Sequence, residues 1–194
     1  MDRNEGGSRI GARVGLALTA LAGAALLAAN VRSAAAQPGA QAPAPAGNAK
    51  KASATIEARS GSKVTGTATF EEARDAVHVM VDIAGAAPGD HGVHIHEKGD
   101  CSAPDASSAG PHFNPAGKTH GGPHTAMHHA GDFGNITVAA DGKGMLHLMS
   151  KDFTLKPGPR SIRGRSIVIH EKPDDLKSQP AGNAGARIGC GVIR

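Results

Sequence analysis

The chain has 194 residues, enough for one ordinary domain with an extension, and its 21 Lys and Arg against 17 Asp and Glu give a formal net charge of +4. With four Phe and no Trp or Tyr, the sequence excludes a large aromatic core and a stacking surface for single-stranded nucleic acid. Its 27 glycines and 12 prolines favour an all-β chain with many turns.

Residues 1–36 have the pattern of a secretory signal peptide. Three arginines precede an apolar run at 14–29, and alanines at 34–36 offer a small-residue cleavage site. The mature chain is expected to begin near Gln37, to be periplasmic or secreted, and to have no stable membrane insertion after cleavage. The alternative is an uncleaved anchor, for which this run is short. Cleavage leaves a net charge of +2, so nucleic acid is not an expected partner.

Residues 37–51 are rich in Pro, Ala and Gly without apolar periodicity, which indicates a disordered or extended tether. The folded domain is expected to cover residues 52–194. Because no segment carries a sustained helical stripe, its predicted architecture is an antiparallel all-β sandwich or barrel. Alternating apolar residues predict eight strands, at 54–58, 64–70, 77–83, 93–97, 135–139, 145–149, 167–170 and 188–193.

The two cysteines, Cys101 and Cys190, are far apart in the sequence. In an exported protein such a pair predicts a disulfide. On the chain-entropy model, closing a loop of this length stabilises the fold by roughly 4–5 kcal/mol. The alternative is two buried free thiols.

Residues 98–132 have neither strand nor helix periodicity, and eight of the 11 histidines lie between His91 and His129. A loop of this length inside a domain is either functional or evidence against the strand assignment. The density of imidazoles favours transition-metal binding, because neutral imidazole suits copper and zinc.

The histidines form two candidate groups. His94 and His96 alternate along a predicted strand and therefore share one face, while His170 ends another strand and could complete a site with them. Each signal alone also fits an ordinary surface or core histidine. The second group offers three imidazoles and a carboxylate, a set that a structural zinc ion accepts: His112, His120, His129 and Asp132. Its alternative is a set of solvated loop residues.

With these residues the sequence resembles copper-zinc superoxide dismutases of the exported bacterial type, over residues 52–194. The resemblance implies a Greek-key β-sandwich that converts superoxide to dioxygen and hydrogen peroxide. Six ordered stretches carry it: PGDHGVHIHEKGDC (88–101), AGPHFNP (109–115), KTHGGPH (118–124), HAGDFGN (129–135), RSIVIHEKPDD (165–175) and GNAGARIGCGVI (182–193).

The resemblance also implies the roles of individual residues. His112 would bridge the two metals, release copper when superoxide reduces it, and take up a proton that later leaves with hydrogen peroxide. Arg187 would orient the anion, Asp174 would link His94 to His120 by hydrogen bonds, and His91 would be structural. Copper would bind His94, His96, His112 and His170, and zinc would bind His112, His120, His129 and Asp132.

The sequence departs from the family in one loop. Between His170 and Arg187 the acidic and lysine cluster of eukaryotic members is missing, and Lys118 and Lys177 are candidate substitutes. A noncatalytic copper-binding or copper-delivery relative is the competing interpretation, and a zinc-only structural protein is a third. The former disagrees with the complete set of ligand positions and the arginine, and the latter predicts no copper signal after reconstitution and no turnover of superoxide. The sequence leaves open whether the protein is a homodimer.

Four histidines remain outside the implied site. His124 and His128 have no clear counterparts in the family and are expected to be exposed to solvent, with auxiliary metal capture as the alternative. His78 and His147 lie in predicted strands and are expected to be structural.

Overall fold

The structure is a computed structural model and describes residues 50–194. Over this range the chain forms the eight predicted strands, each of which differs from its predicted bounds by a few residues. They are β1 (Lys51–Ala58), β2 (Thr65–Ala73), β3 (Ala76–Ala84), β4 (Gly89–His96), β5 (Asp132–Val138), β6 (Lys143–Ser150), β7 (Ser166–His170) and β8 (Arg187–Val192).

The strands form because apolar side chains alternate along them and pack inside a barrel. In β3, for example, Val77, Val79, Val81 and Ile83 are buried, while the residues between them are half-buried on the outer face. The core is aliphatic, with Phe70, Phe113, Phe133 and Phe153 as its largest side chains. The composition predicts such a core.

The barrel is closed, and its strand order is β1-β2-β3-β6-β5-β4-β7-β8. Neighbouring strands are antiparallel throughout this order. The connection from β3 to β4 passes β6 and β5, and the connection from β6 to β7 passes β5 and β4. These crossings make a Greek key and confirm the predicted fold class.

The barrel consists of two four-stranded halves joined by short ladders. In one ladder, Val138 of β5 lies opposite Gly144 of β6. In the other, Glu57 and Ala58 of β1 lie opposite Cys190 and Gly189 of β8. The first half is β1-β2-β3-β6 and the second is β5-β4-β7-β8, so the molecule combines features of a sandwich and of a barrel.

The long loop after β4 is irregular, as predicted, with one short 3₁₀ turn at Ser107–Ala109. Its backbone is tied to β4, because the amides of Phe113 and Ile95 donate to Ile95 O and Gly131 O. The predicted disulfide is confirmed: Cys101 of the loop joins Cys190 of β8 with Cα atoms 5.8 Å apart. Hydrogen bonds and one cross-link therefore order a segment that has no hydrophobic face.

The predicted signal peptide (1–36) and almost all of the predicted tether (37–51) lie outside the described residues. β1 begins at Lys51, one residue before the predicted domain boundary. Among residues 50–194, no helix has the length and apolar character needed to span a membrane.

Candidate metal centre

Strand β4 carries the first two histidines of the centre. Val93 and Ile95 face the barrel core, so the alternation of the strand directs His94 and His96 to the opposite face. Both histidines are fully buried, because the long loop and the segment after β7 cover that face. The centre therefore lies on the outer side of the second half of the barrel, beneath two loops.

Four histidines form the first group. Each offers one ring nitrogen, and these nitrogens lie within 4.8 Å of one another. Nδ1 of His96 is 2.8 Å from the Gly110 carbonyl and Nδ1 of His170 is 3.3 Å from the Gly185 carbonyl, so each ring has its Nε2 available to the group. The two Nε2 atoms are 3.4 Å apart. The members are His94, His96, His112 and His170.

The second group surrounds the carboxylate of Asp132, the first residue of β5. Oδ1 lies 2.8 Å from Nδ1 of His112 and 3.3 Å from Nδ1 of His129, and Oδ2 lies 3.0 Å from Nδ1 of His120. Oδ2 also accepts hydrogen bonds from the amides of His129 and Gly121. The structure therefore brings the second predicted set together, and it shares His112 with the first group.

The polar atoms of both groups fit bound cations. Among residues 50–194, three buried ring nitrogens lack a hydrogen-bond partner: Nδ1 of His94, Nε2 of His112 and Nδ1 of His120, the last near Asp132 but poorly aligned. A buried polar atom without a partner costs about 1–3 kcal/mol. Since each of these atoms belongs to a residue of a candidate ligand group, a bound metal ion would give it the missing partner.

Asp174 connects the two groups through the ring nitrogens of His94 and His120 that point away from the candidate metal sites. Its Oδ2 is 2.8 Å from Nε2 of His94 and its Oδ1 is 2.9 Å from Nε2 of His120. The side chain of Asn135 holds the backbone of Asp174 with two hydrogen bonds: its Nδ2 donates to the Asp174 carbonyl, and its Oδ1 accepts from the Asp174 amide. Gly182 approaches so closely that a Cβ there would overlap Oδ1 of Asp174 and lie 2.7 Å from Nε2 of His120. The carboxylate thus fixes the orientation of one histidine in each group.

Burial and charge set the protonation of the ligands. Burial lowers the pKa of His94 to about 4 and the pKa values of His96 and His170 well below their usual range. These three rings are therefore neutral at pH 7, the form that binds a metal. For His120, burial is outweighed by the neighbouring carboxylates of Asp132 and Asp174, which raise its pKa to about 9.

The carboxylates show the complementary effect. Burial opposes ionisation of Asp132 and Asp174, but hydrogen bonds from the neighbouring histidines outweigh it and hold both pKa values well below the usual range. Both carboxylates are therefore anionic at pH 7. Asp132 therefore gives the second group an anionic carboxylate ligand, whereas the first group offers only imidazoles.

Arg187, the first residue of β8, lies at the mouth of the centre. It lines one groove together with His96, His112 and His170. Its guanidinium Nη1 donates to the carbonyl of Ala106, 2.9 Å away, and its charge contributes to the low pKa of His96. Ala106 belongs to the loop that follows Cys101, and Arg187 lies three residues before Cys190. The disulfide and this hydrogen bond therefore both limit the motion of the guanidinium.

Other predicted residues have different positions. His124 is exposed, as expected, but the expectation of an exposed His128 is wrong. Its ring is buried between the Thr125 carbonyl and the Asp152 carboxylate, at 2.6 Å and 3.3 Å. The contact with Asp152 comes from the segment just after β6, 24 positions away in the sequence, so no local pattern could reveal it.

The remaining predictions concern one histidine and two lysines. In His91, Nδ1 lies 2.8 Å from the His170 carbonyl and Nε2 lies 2.8 Å from the Ala87 carbonyl. Both ring nitrogens therefore contact the backbone, which fits the expected structural role. Lys118 is half-buried and Lys177 is exposed, and neither is among the residues that line the groove. Arg165 does line it and stacks on Phe113 at 3.8 Å, a residue that the sequence analysis did not single out.

Comparison with known proteins gives the family. The model of the family described as copper/zinc superoxide dismutase (SODC) matches residues 64–193. The crystal structure of the clock protein EA4 is similar at 39% sequence identity and a TM-score of 0.68, over 74% of this chain and 93% of that chain. Because the family match spans about two thirds of the chain, the protein belongs to the copper/zinc superoxide dismutase family.

Proposed function

We propose that the protein dismutates superoxide, converting two superoxide anions and two protons to dioxygen and hydrogen peroxide. The observation that carries the proposal is His112, whose two ring nitrogens face two groups of candidate ligands while Nε2 lacks a hydrogen-bond partner among the described residues. Since one solved relative is described as a clock protein, family membership alone does not establish the reaction, and the arrangement of the site carries the proposal.

The chemistry of each donor set supports the choice of metals. The first group is all imidazole and opens to the groove, which suits copper. The second group is three imidazoles and a carboxylate, a closed set that suits structural zinc. When bound, copper supplies one-electron redox chemistry, which zinc does not have.

Arg187 would attract and orient the anion. It is a fixed cation in the groove that leads to His96, His112 and His170, and its hydrogen bond to Ala106 limits its motion. A positive charge at the mouth of a narrow site raises the encounter rate with a small anion and sets its orientation.

His112 would hold a proton at Nε2. Asp132 accepts at Nδ1 and orients the ring, so Nε2 remains directed at the first group. Whenever no cation occupies Nε2, that atom can carry one of the two protons that hydrogen peroxide requires.

The test is metal analysis of the purified protein combined with a cyanide-sensitive superoxide assay. The protein is expected to bind one copper and one zinc and to turn over superoxide. Arg187→Ala is expected to lower the rate about tenfold and to weaken its dependence on salt, while Arg187→Lys keeps the charge and restores part of the rate. His112→Ala is expected to lose turnover.

Two outcomes would contradict the proposal. Equal turnover in the wild type and His112→Ala would exclude a reaction that depends on the shared ring. A fully metal-loaded protein without turnover would indicate a noncatalytic copper-binding relative instead.

The export of the protein is also a proposal. The Cys101–Cys190 disulfide supports an oxidising compartment, the periplasm or the exterior. Expression of the full chain in a Gram-negative host, followed by cell fractionation and N-terminal sequencing, is expected to give a periplasmic or secreted protein that starts near Gln37. Recovery of the intact chain in the membrane fraction would instead indicate an uncleaved anchor.

A further inference from the structure

The outer face of the first half of the barrel carries exposed methionines. Met145 and Met149 of β6 expose 62% and 56% of their surface, and His147 between them is also exposed. On the neighbouring strand β3, His78 and Met80 are half-buried on the same face. Thioethers and imidazoles thus alternate along two adjacent strands.

The strand register places these side chains opposite one another. His78 lies opposite Met149 and Met80 lies opposite His147, so each histidine faces a methionine. Side chains in such cross-strand pairs have Cβ atoms about 4.5–5.5 Å apart. His78 and His147 are diagonal neighbours on this face, and their ring centroids are 5.9 Å apart in an edge-to-face arrangement. All four side chains therefore lie close together.

We propose that these four residues form a Cu(I) site, which we call the outer Met/His site: His78, Met80, His147 and Met149. Thioethers are soft ligands that select Cu(I), and imidazole also suits copper, whereas calcium prefers carboxylate and carbonyl oxygens. Within residues 50–194, neither ring makes a hydrogen bond, so each neutral imidazole keeps one nitrogen lone pair for a cation.

The neighbouring charges are compatible with a cation. Glu71 lies opposite His78 on β2, and its carboxylate is paired with Lys51 at 3.2 Å, while Asp82 lies opposite Met145. No positively charged side chain is opposite the four ligands in the register of β3 and β6. On the side of β2, Lys51 and Arg194 line a cavity together with His78 and Met80, so the ligand chemistry and not a negative potential would hold the ion.

The outer Met/His site is separate from the candidate metal centre. It lies on β3 and β6 in the first half of the barrel, whereas the strands of the centre belong to the second half. Buried Val79 and half-buried Leu148 form part of the wall on the inner side of the site. Because the site is exposed, bound Cu(I) would exchange with solvent, and the protein would buffer Cu(I) independently of its proposed turnover.

The test is an anaerobic titration with Cu(I), in competition with bicinchoninate. The protein is loaded with copper and zinc, its bound copper is reduced to Cu(I), and its disulfide is kept intact. The wild type is expected to take up one further equivalent of Cu(I), with copper–sulfur scattering in its X-ray absorption spectrum. Met80→Leu/Met149→Leu is expected to bind this equivalent more than about tenfold more weakly. Leu conserves the volume of Met, so the thermal midpoint is expected to stay unchanged.

Met127→Leu is the matched control. Met127 is 53% exposed but lies in the loop before β5, far in sequence from the four ligands. It is expected to keep wild-type affinity. The proposal is overturned if the loaded wild type takes up no further Cu(I), if the double variant binds it as tightly as the wild type, or if Met127→Leu weakens it equally.

Discussion

At the scale of residues, the organisation of the centre depends on one carboxylate. Asp174 accepts from His94 and His120 at once, so a displacement of this side chain disturbs both groups of ligands. Gly182 borders Asp174 and has a φ of +65°, where a side chain is strained in any case. A substitution at this glycine therefore tests how closely the centre must be packed.

We expect Gly182→Ala to destabilise the protein by about 3 kcal/mol and to weaken zinc binding by about 10- to 100-fold. The new Cβ overlaps Asp174 and disturbs its bond to His120. The measurements are urea denaturation and a zinc competition assay. Gly117→Ala is the control, because Gly117 has a φ of +63° and open space around its Cβ position. It is expected to cost about 1 kcal/mol without a change in zinc affinity. Equal effects of both substitutions would show that packing against Asp174 is unimportant.

The sequence reveals only some residues of the centre. His94 and His96 can be paired from their spacing because strand geometry alone puts them on one face. Asn135 and His128 cannot be found in this way, since their partners Asp174 and Asp152 lie 39 and 24 positions away in the sequence. Contacts at such distances depend on the tertiary fold, which local patterns do not encode.

At the scale of elements, the loop over the centre is attached to the barrel at several points. His128 fastens the segment between His120 and His129 to Asp152, just after β6. We expect His128→Ala to speed the release of zinc to a chelator about tenfold, because loss of this buried hydrogen-bonded contact costs on the order of 1–1.5 kcal/mol. The exposed neighbour His124 offers a control, and His124→Ala is expected to release zinc at the wild-type rate. Identical rates in both variants would exclude the attachment.

The disulfide is the second attachment of this loop. We expect Cys101→Ser/Cys190→Ser to lower the free energy of unfolding by about 4–5 kcal/mol, because the cross-link spans 89 positions and restricts the unfolded chain. In hydrogen exchange, amides of residues 101–109 are expected to lose protection, while those of β3 and β6 keep it. A uniform loss of protection would mean that the disulfide acts on the whole barrel and not on the loop.

At the scale of the whole molecule, the buried histidines make stability dependent on pH when the metals are removed. Unfolded His94, His96 and His170 take up protons near pH 6.5, whereas in the folded protein their low pKa values prevent this. The unfolded state then binds more protons. The free energy of unfolding is therefore expected to fall between pH 6.5 and 4, by up to about 1.4 kcal/mol per pH unit for each histidine.

His120 has the opposite effect on the metal-free protein. Its folded pKa of about 9 means that the folded state holds a proton which the unfolded state releases above pH 6.5, so this stabilisation is lost as the pH rises through 9. Urea denaturation of the chelator-treated protein between pH 4 and 10 is expected to show a maximum of stability inside this range. A profile that is flat below pH 6.5 would contradict the neutral state of the three buried rings.

The overall architecture is predictable because each strand has one face in the core, so apolar and polar residues alternate along its sequence. β3, with Val77, Val79, Val81 and Ile83 inside, is an example. Closure of the barrel is not predictable in the same way. It depends on the ladders that join β5 to β6 and β8 to β1, which contain few residues and no distinctive motif.

Closure also determines how copies of this chain can meet. In the described part of the chain every strand has a hydrogen-bonded neighbour on both sides, so none offers a free edge on which another molecule could add a strand. The ring has two short ladders, one between β5 and β6 and one between β1 and β8, where Cys190 lies opposite Glu57. The cross-link to Cys101 ties β8 to the long loop, and the loop carbonyls of Cys101 and Pro104 accept hydrogen bonds from Arg59 and Ser60, just after β1. The cross-linked loop therefore spans the second of these ladders and opposes an opening that would expose two strand edges to other molecules.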